Sequence, residues 1–386
     1  MKRIIVFLVI FLMLISLSGC VQLTGNNNEI SDIKFIKAVG IDNGAENNIK
    51  LTAIFKAVKQ REESQTGVTP KENAIVITSE AKAIAQARSD MSTYSDKILY
   101  WGQNQYILIG DEAAKQDISR YTEPFIRKIE SRLDAQVLIV RGLTAEEFIT
   151  KTKTSETFLT ETLDHLFEAG KNLSLTKKLR IVELVQGLDN EYICPFLPCI
   201  RLKTEIGPSG TKAVGKVEIE GYAFAKNGRV IGYLDKADAI GFNWITNSFK
   251  NGILSVKDSD GEEVVLEVTY GSTKLIPKIN DGAITIEINV EASSNVLEHK
   301  YRKNIYDKKS LEYLNNQQKE VITKQVLKPI YFAKENNADI FGISDLIYHK
   351  NPHYWERIKD NWYKIFPKIK FDIQIKSKIN SVYIVK

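Results

Sequence analysis

The ten residues AITIEINVEA, at positions 283–292, alternate apolar and polar side chains. A period of two is typical of a β-strand that buries one face. Two further strand-like runs, 264–270 and 273–278, precede it, and the three together predict an antiparallel meander. From about residue 308 to residue 337 the period changes to nearly four, which predicts one long helix with a kink or restart at Pro329.

The remaining C-terminal residues predict a second helix and a last strand. The helix is expected from Asn351 to Phe366, because Trp355 and Trp362 recur on one helical face. A long strand from Lys368 to Val385 follows it. We interpret the aromatic stripe as core packing, in preference to a ligand site.

Two hairpins are predicted before the meander, each around an Asn-Gly dipeptide, which favours tight hairpin turns. The first joins residues 33–42 to 50–59, and the second joins 217–225 to 229–234. The fold class that follows is α+β, with mixed or antiparallel sheets packed by helices, a long helix in the C-terminal domain and a terminal strand.

A cluster of Gly, Pro and Ser at residues 205–211 is the best candidate for a domain boundary. We therefore predict an N-terminal domain at 33–206 and a C-terminal domain at 215–386.

The first 19 residues have the composition of a signal peptide. Lys2 and Arg3 precede an apolar run that is too short for an ordinary spanning helix, and small residues stand before Cys20. The Leu-Ser-Gly-Cys sequence that ends at Cys20 resembles the lipobox of bacterial lipoproteins, in preference to a plain membrane anchor. We expect cleavage before Cys20, covalent diacylglycerol and an N-acyl chain on this residue, and a polar tether over residues 20–32.

The charge balance gives no reason to expect a nucleic-acid partner. The chain has 53 basic and 48 acidic side chains, a net charge of +5, which falls to +3 without Lys2 and Arg3. The basic residues are scattered instead of forming a stripe.

Motifs for catalysis or metal binding are not found in the sequence. The histidine pair His349 and His353 has helical zinc spacing, but Pro352 favours a helix start between them. Asp258 begins a run that resembles part of a calcium loop, yet a hairpin turn explains it better. Cys194 and Cys199 are separated by a strained, proline-rich loop, so we favour free thiols over a disulfide. We predict no catalytic residue, no metal site and no enzymatic activity.

The sequence ADIFGIS at 338–344, followed by Pro352, Trp355 and Trp362, resembles the Ger(x)C family, the lipoprotein C subunits of spore germinant receptors. The order and spacing of these residues agree with the family, and the resemblance covers nearly the whole chain after Cys20. Ser344 departs from the glycine that often ends the family turn. Asp339, Gly342, Trp355 and Trp362 are therefore our candidates for structural or interaction residues, with Cys20 as the lipidation site.

The resemblance implies a non-enzymatic subunit, anchored by lipid on the outer face of the spore's inner membrane. It also implies assembly with A and B subunits into a receptor that senses nutrients and triggers germination, and no cofactor besides the lipid. The family fold is three mixed α/β domains, which implies that the predicted domain at 33–206 divides again. The alternative is a solute-binding lipoprotein of an importer. Such proteins usually have alternating strands and helices around parallel sheets, and the two predicted hairpins count against this alternative.

Overall fold

The computed structural model describes residues 30–56, 74–127, 131–153, 157–203, 215–299 and 307–380. The strands in these ranges are β1 Ile33–Asn43, β2 Ile49–Lys56, β3 Ala74–Ala81, β4 Ile98–Tyr100, β5 Tyr106–Gly110, β6 Gln136–Val140, β7 Phe196–Lys203, β8 Lys216–Lys226, β9 Arg229–Leu234, β10 Gly252–Lys257, β11 Glu263–Asn280, β12 Ala283–His299 and β13 Lys370–Asn380. The helices are α1 Ile84–Tyr94, α2 Asp111–Ala114, α3 Ser119–Arg127, α4 Ala145–Thr152, α5 Leu159–Asn172, α6 Ile181–Asp189, α7 Lys236–Ile245, α8 Lys308–Glu335, α9 Ile343–Lys350, α10 Pro352–Ile358 and α11 Trp362–Ile365.

The first sheet has nine strands among the described residues, in the order β3-β2-β1-β5-β6-β7-β8-β9, with β4 paired to the start of β1. The central strands β1, β5, β6 and β7 are parallel, and both flanks are antiparallel. The predicted mixed α+β class is therefore confirmed, and the two predicted hairpins are β1–β2 and β8–β9.

Helices cover both faces of the first sheet, which explains why β5 and β6 are almost continuously apolar and buried. Ile107 and Ile109 of β5 pack on the side of α1, α3 and α6. Leu108, between them, packs on the opposite side against α4 and α5. Two cores therefore lie on the two faces of one sheet.

The second sheet has the order β10-β11-β12-β13, with β13 parallel to β12 and the other pairs antiparallel. The long helix α8 packs on one face through Leu314, Ile322 and Val326, which are buried in the same core as the sheet. The chain reaches β13 from β12 through α8 to α11, because parallel neighbours need a long crossover. The predicted terminal strand is β13, and residues 381–385 lie outside the described residues.

The prediction of two strands at 264–270 and 273–278 was wrong, because both belong to the single strand β11. A register shift between Val268 and Tyr270 marks a bulge, and Gly271 pairs directly with Ala292 of β12. A bulge absorbs one extra residue without ending the strand, so the chain continues where a turn was expected.

The helix α8 continues through Pro329 without the restart offered as one alternative. Proline cannot donate to the carbonyl four residues earlier, here that of Gln325. Gly241 of α7 lies against this carbonyl: a Cβ built on Gly241 would stand 1.9 Å from the Gln325 oxygen. The close approach of α7 therefore covers the place where the proline interrupts the helical hydrogen bonding.

The prediction of a single helix from residue 351 to residue 366 was also wrong, because the helix is interrupted. The helix α10 ends at Ile358, a 3₁₀ turn follows at Lys359–Asn361, and α11 then begins. Aspartate and asparagine compete for backbone N–H groups and weaken a helix interior, and Asp360 and Asn361 stand at this break. The predicted helix start at Pro352 is confirmed, with Asn351 as its N-cap.

The hairpin β8–β9 lies in the first sheet, because β8 pairs with β7 along its length. The proposed division between residues 206 and 215 would therefore separate two paired strands. Phe224 of β8 also contacts Phe242 of α7 and Phe332 of α8, with ring centroids 5.1 and 5.3 Å apart. The two sheets share a hydrophobic core, and the division into domains stays a prediction.

Candidate functional site

An aspartate turn joins the long helix α8 to the short helix α9. The Asp339 carboxylate accepts hydrogen bonds from the backbone N–H groups of Ile343 at 2.9 Å and Ser344 at 2.7 Å. The first turn of a helix has no internal acceptors for these groups, so Asp339 caps α9. Gly342 precedes the helix with φ of +71°, a conformation that favours glycine. Burial raises the pKa of Asp339 to about 6, although the Ser344 and Ile343 N–H groups oppose this change.

The segment before β7 packs against this turn. The backbone N–H of Cys194 donates to the Asp339 carbonyl at 2.9 Å. A Cβ built on Gly342 would lie 3.8 Å from the Ile193 Cδ1 atom. Because β7 is a strand of the first sheet and Asp339 lies on the crossover to β13, this contact connects the two sheets.

A row of aromatic rings extends the contact. Trp355 meets Trp362 edge-on, with ring centroids 5.1 Å apart, and Trp362 meets Phe366 at 5.7 Å. On its other side Trp355 meets Tyr192 at 4.9 Å. Such pairs contribute about 0.5–1.5 kcal/mol each beyond area burial. We refer to these joined residues as the motif cluster: Tyr192, Cys194, Asp339, Gly342, Trp355 and Trp362.

A shallow groove borders the motif cluster. Tyr363, next to Trp362, donates its hydroxyl to the Glu191 carbonyl. The Lys226 ammonium lies 4.5 Å from the centroid of the Tyr363 ring and donates to the Asn337 carbonyl at 2.7 Å. The groove has a volume of about 310 Å³, and its lining also includes Gly187, Asn190 and Asn227.

The structure brings together four of the predicted candidates, Asp339, Gly342, Trp355 and Trp362. Cys20, the fifth, lies outside the described residues. Tyr192, Cys194, Lys226 and Tyr363 were not predicted, because their partners are distant in sequence and no local pattern marks them.

The two cysteines after Cys20 are free thiols in the structure, as the sequence favoured. Both are buried, and burial raises the pKa of Cys194 to about 12. The Cys199 side chain lies in the core of the first sheet, where burial also raises its pKa. Neither thiol is therefore poised for nucleophilic chemistry.

The other residues considered for chemistry have structural partners. The Asp258 carboxylate accepts from the N–H groups of Asp260 at 2.9 Å and Glu262 at 3.0 Å, so the expected turn is confirmed. His299 lies 3.2 Å from the same carboxylate. Across the described ranges, no three His, Cys, Asp or Glu side chains are grouped so that they could hold a metal ion. No helix in these ranges combines the length and apolarity that a bilayer crossing requires.

Comparison with known proteins identifies the family. The model described as "Spore germination protein N-terminal domain" matches residues 26–202, and that described as "Spore germination B3/ GerAC like, C-terminal" matches 220–383. The chain belongs to the GerAC family of spore germination proteins.

Relatives in the GerAC family are similar to this chain over almost their full length. Spore germination protein B3 of Bacillus subtilis (strain 168) is 25% identical, over 98% of this chain and 98% of its own. Spore germination protein KC of the same organism is 23% identical, over 98% of this chain and 95% of its own. The crystal structure of the GerBC protein matches with a TM-score of 0.57 and 20% identity, over 90% of this chain and 98% of that chain, and so supports the fold.

The two GerAC models meet near the paired strands β7 and β8. The first ends within β7 and the second begins within β8, although the two strands form one antiparallel pair. The motif cluster likewise takes Tyr192 and Cys194 from the first matched region and the other four residues from the second. In this GerAC chain, the two matched regions are therefore bound together by a shared sheet and a shared cluster.

Proposed function

We propose that this chain is a non-enzymatic lipoprotein subunit of a membrane-bound germinant receptor. It assembles with A and B subunits into a complex that senses nutrients and triggers spore germination. The observation that carries this proposal is the match of both GerAC models, which together reach from residue 26 to residue 383.

The proposed anchor is diacylglycerol and an N-acyl chain on Cys20, added after removal of residues 1–19. Several acyl chains hold a protein on a bilayer without a spanning helix, because each buried methylene contributes about 0.8 kcal/mol. The folded residues then face outward from the spore's inner membrane. No further cofactor is required, and no nucleic acid is a partner.

The proposed role of the motif cluster is to fix the two sheets in one arrangement. Asp339 caps α9 and binds the backbone of Cys194, while Trp355 packs on Tyr192. A subunit whose sheets cannot shift presents one constant surface to its partners. The groove beside Tyr363 belongs to this surface.

Recovery of the tagged chain from detergent-solubilised spore membranes, followed by mass spectrometry, tests the receptor proposal. We expect to recover a multispan, transporter-like protein and a second protein with a large soluble part. Importer permease and ATPase subunits in their place would contradict the proposal and indicate a solute-binding lipoprotein.

A Cys20→Ala chain provides the matched control for the anchor. We expect it to leave the membrane fraction and to carry no acyl mass, whereas the unaltered chain carries the lipid on Cys20. Retention of the variant in the membrane fraction would contradict lipid anchoring.

A further inference from the structure

One end of the first sheet lies next to the proposed anchor. Strands β1, β5 and β6 are parallel, so their N-terminal ends, including Ile33, lie at the same end of the sheet. The short strand β4 pairs there with residues 33–35. We refer to this end of the sheet as the anchor end.

The length of chain before the sheet limits how far this end can lie from the bilayer. Ile30, where the described chain begins, is the tenth residue after Cys20. Even a fully extended chain of this length spans at most about 35 Å. The 11 residues of β1 then lead away from the anchor end, so the opposite end lies about 36 Å further along the strand.

Exposed apolar side chains are concentrated at the anchor end. Ile98 and Tyr100 of β4 are 46% and 41% exposed, and Leu133, just before β6, is 50% exposed. Ile75 at the start of β3 lies at the same end, because it pairs with Phe55 of β2, which is opposite Ile36 of β1. Together they are four of the twelve large apolar side chains that are exposed in the described part of the chain. Clustered apolar exposure marks an interaction surface, and tyrosine is enriched at membrane interfaces.

Several charged side chains around these residues have local partners. Lys34 forms an ion pair with Asp96, and Arg132 forms one with Asp134. Lys97 donates to the Ser31 carbonyl. The affinity of this surface for a partner therefore depends on its apolar side chains more than on its net charge.

We infer that the anchor end of the first sheet rests on the phospholipid bilayer, with Ile98, Tyr100 and Leu133 entering the headgroup region. This inference depends on the proposed lipidation of Cys20. The bilayer is the proposed occupant because the chain enters the sheet at this end, which makes it the part of the sheet nearest to the proposed lipid along the chain, whereas the opposite end lies about 36 Å further along β1. Contact at this end orients the parallel strands away from the membrane, so that the turn after β1 faces outward.

Fluorescence quenching by lipids that carry bromine on their acyl chains tests this orientation. The lipidated chain is reconstituted into vesicles of phosphatidylethanolamine and phosphatidylglycerol, with a bimane label on Ile98→Cys or, separately, Leu133→Cys. Ala45→Cys, in the exposed turn at the opposite end of β1, is the matched control. The buried Cys194 and Cys199 do not compete for the label in the folded chain.

We expect strong quenching at residues 98 and 133, several-fold above that at residue 45, and little change with salt. Equal quenching at the two ends, or none at either while the protein floats with the vesicles, would overturn the inference. A chain that does not float, or carries no lipid by mass spectrometry, would overturn the proposed anchoring itself. Melting temperatures of the labelled variants identify any position where the label unfolds the protein, and the two independent positions keep the test decisive.

Discussion

The pKa of Asp339 is subject to two opposing effects. Burial disfavours its ionised form, whereas N–H groups of Ser344, Ile343 and Phe341 favour it. Burial is the larger effect, so the pKa is raised from 3.8 to about 6. The folded chain therefore retains this proton at pH values where the unfolded chain has released it.

This difference predicts how stability changes with pH. Between about pH 4 and pH 6 the folded state binds more protons than the unfolded state at this position, so raising the pH weakens the fold by up to about 3 kcal/mol. An Asp339→Asn variant has no such titration. Urea titrations give the free energy of unfolding of the wild type and of the variant. We expect the wild-type value minus the variant value to fall as the pH is raised from about 4 to about 6. A constant difference would mean that the N–H groups keep the carboxylate ionised throughout.

Trp362 is the second residue whose contribution can be isolated. It is 1% exposed, and its Nε1 atom has no hydrogen-bond partner among the described residues. Trp362→Ala should lower the free energy of unfolding by about 3–5 kcal/mol, because it leaves a cavity. Trp362→Phe keeps an aromatic ring, loses no hydrogen bond and leaves a smaller cavity, so it should lower the free energy of unfolding by less than the alanine variant does.

The alanine variant should also fail to recover partner subunits from spore membranes, while the phenylalanine variant recovers them. Unchanged melting and unchanged recovery for Trp362→Ala would show that the motif cluster does not hold this part of the molecule.

At the scale of elements, the crossing of α7 over α8 depends on the pairing of Gly241 with the Gln325 carbonyl. Pro329 removes the N–H that this carbonyl would otherwise accept, and the glycine lets the helices approach closely. The positions of a glycine on one helix and a proline on the next are thus explained by a single contact.

The variant Gly241→Ala tests this contact, because the contact determines whether the variant is more or less stable than the wild type. In an isolated helix, alanine is better than glycine by about 1 kcal/mol, so a free helix surface would gain stability. Here the added Cβ would stand 1.9 Å from a backbone oxygen, and we expect a loss of about 1–3 kcal/mol by chemical denaturation. Ala237→Ser, at an exposed position of the same helix, should change stability by less than about 0.5 kcal/mol. A stabilised Gly241→Ala would contradict the close packing.

At the scale of the whole molecule, the two sheets are connected in three places. Strand β8 belongs to the first sheet, yet Phe224 packs in the core of the second. The motif cluster connects the segment before β7 to the crossover, and Lys226 binds the carbonyl of Asn337. The core of the second sheet therefore includes side chains that belong to the first sheet and to the segment before β7.

We therefore expect one cooperative thermal transition, with the calorimetric enthalpy equal to the van't Hoff enthalpy. Near-ultraviolet and far-ultraviolet circular dichroism should report the same midpoint. Two resolved transitions would instead support independent domains on either side of the boundary predicted near residues 206–215.

Much of the secondary structure could be predicted because its signals are local. The alternation at 283–292, the Asn-Gly turns and the four-residue period after residue 308 depend on neighbouring side chains and survive in any tertiary context. The Asp339 and Gly342 turn was implied by the family resemblance instead, and the structure adds that Asp339 caps α9 and that Gly342 has a positive φ. The error at residues 271–272 arose because β11 continues past a bulge instead of turning, whereas the break at 359–361 has a local signal, Asp360 and Asn361, that the helical spacing of the tryptophans concealed.

The amino-acid sequence by itself determined the α+β class, both hairpins, the long helix and the residues of the GerAC motif. Only the tertiary structure decided that β8 completes the first sheet, that β13 lies parallel to β12, and that Cys194 meets Asp339, about 145 residues later in the chain. The reason is physical: periodicity and turn chemistry act between neighbours, whereas strand order and the motif cluster depend on which apolar faces can be buried together.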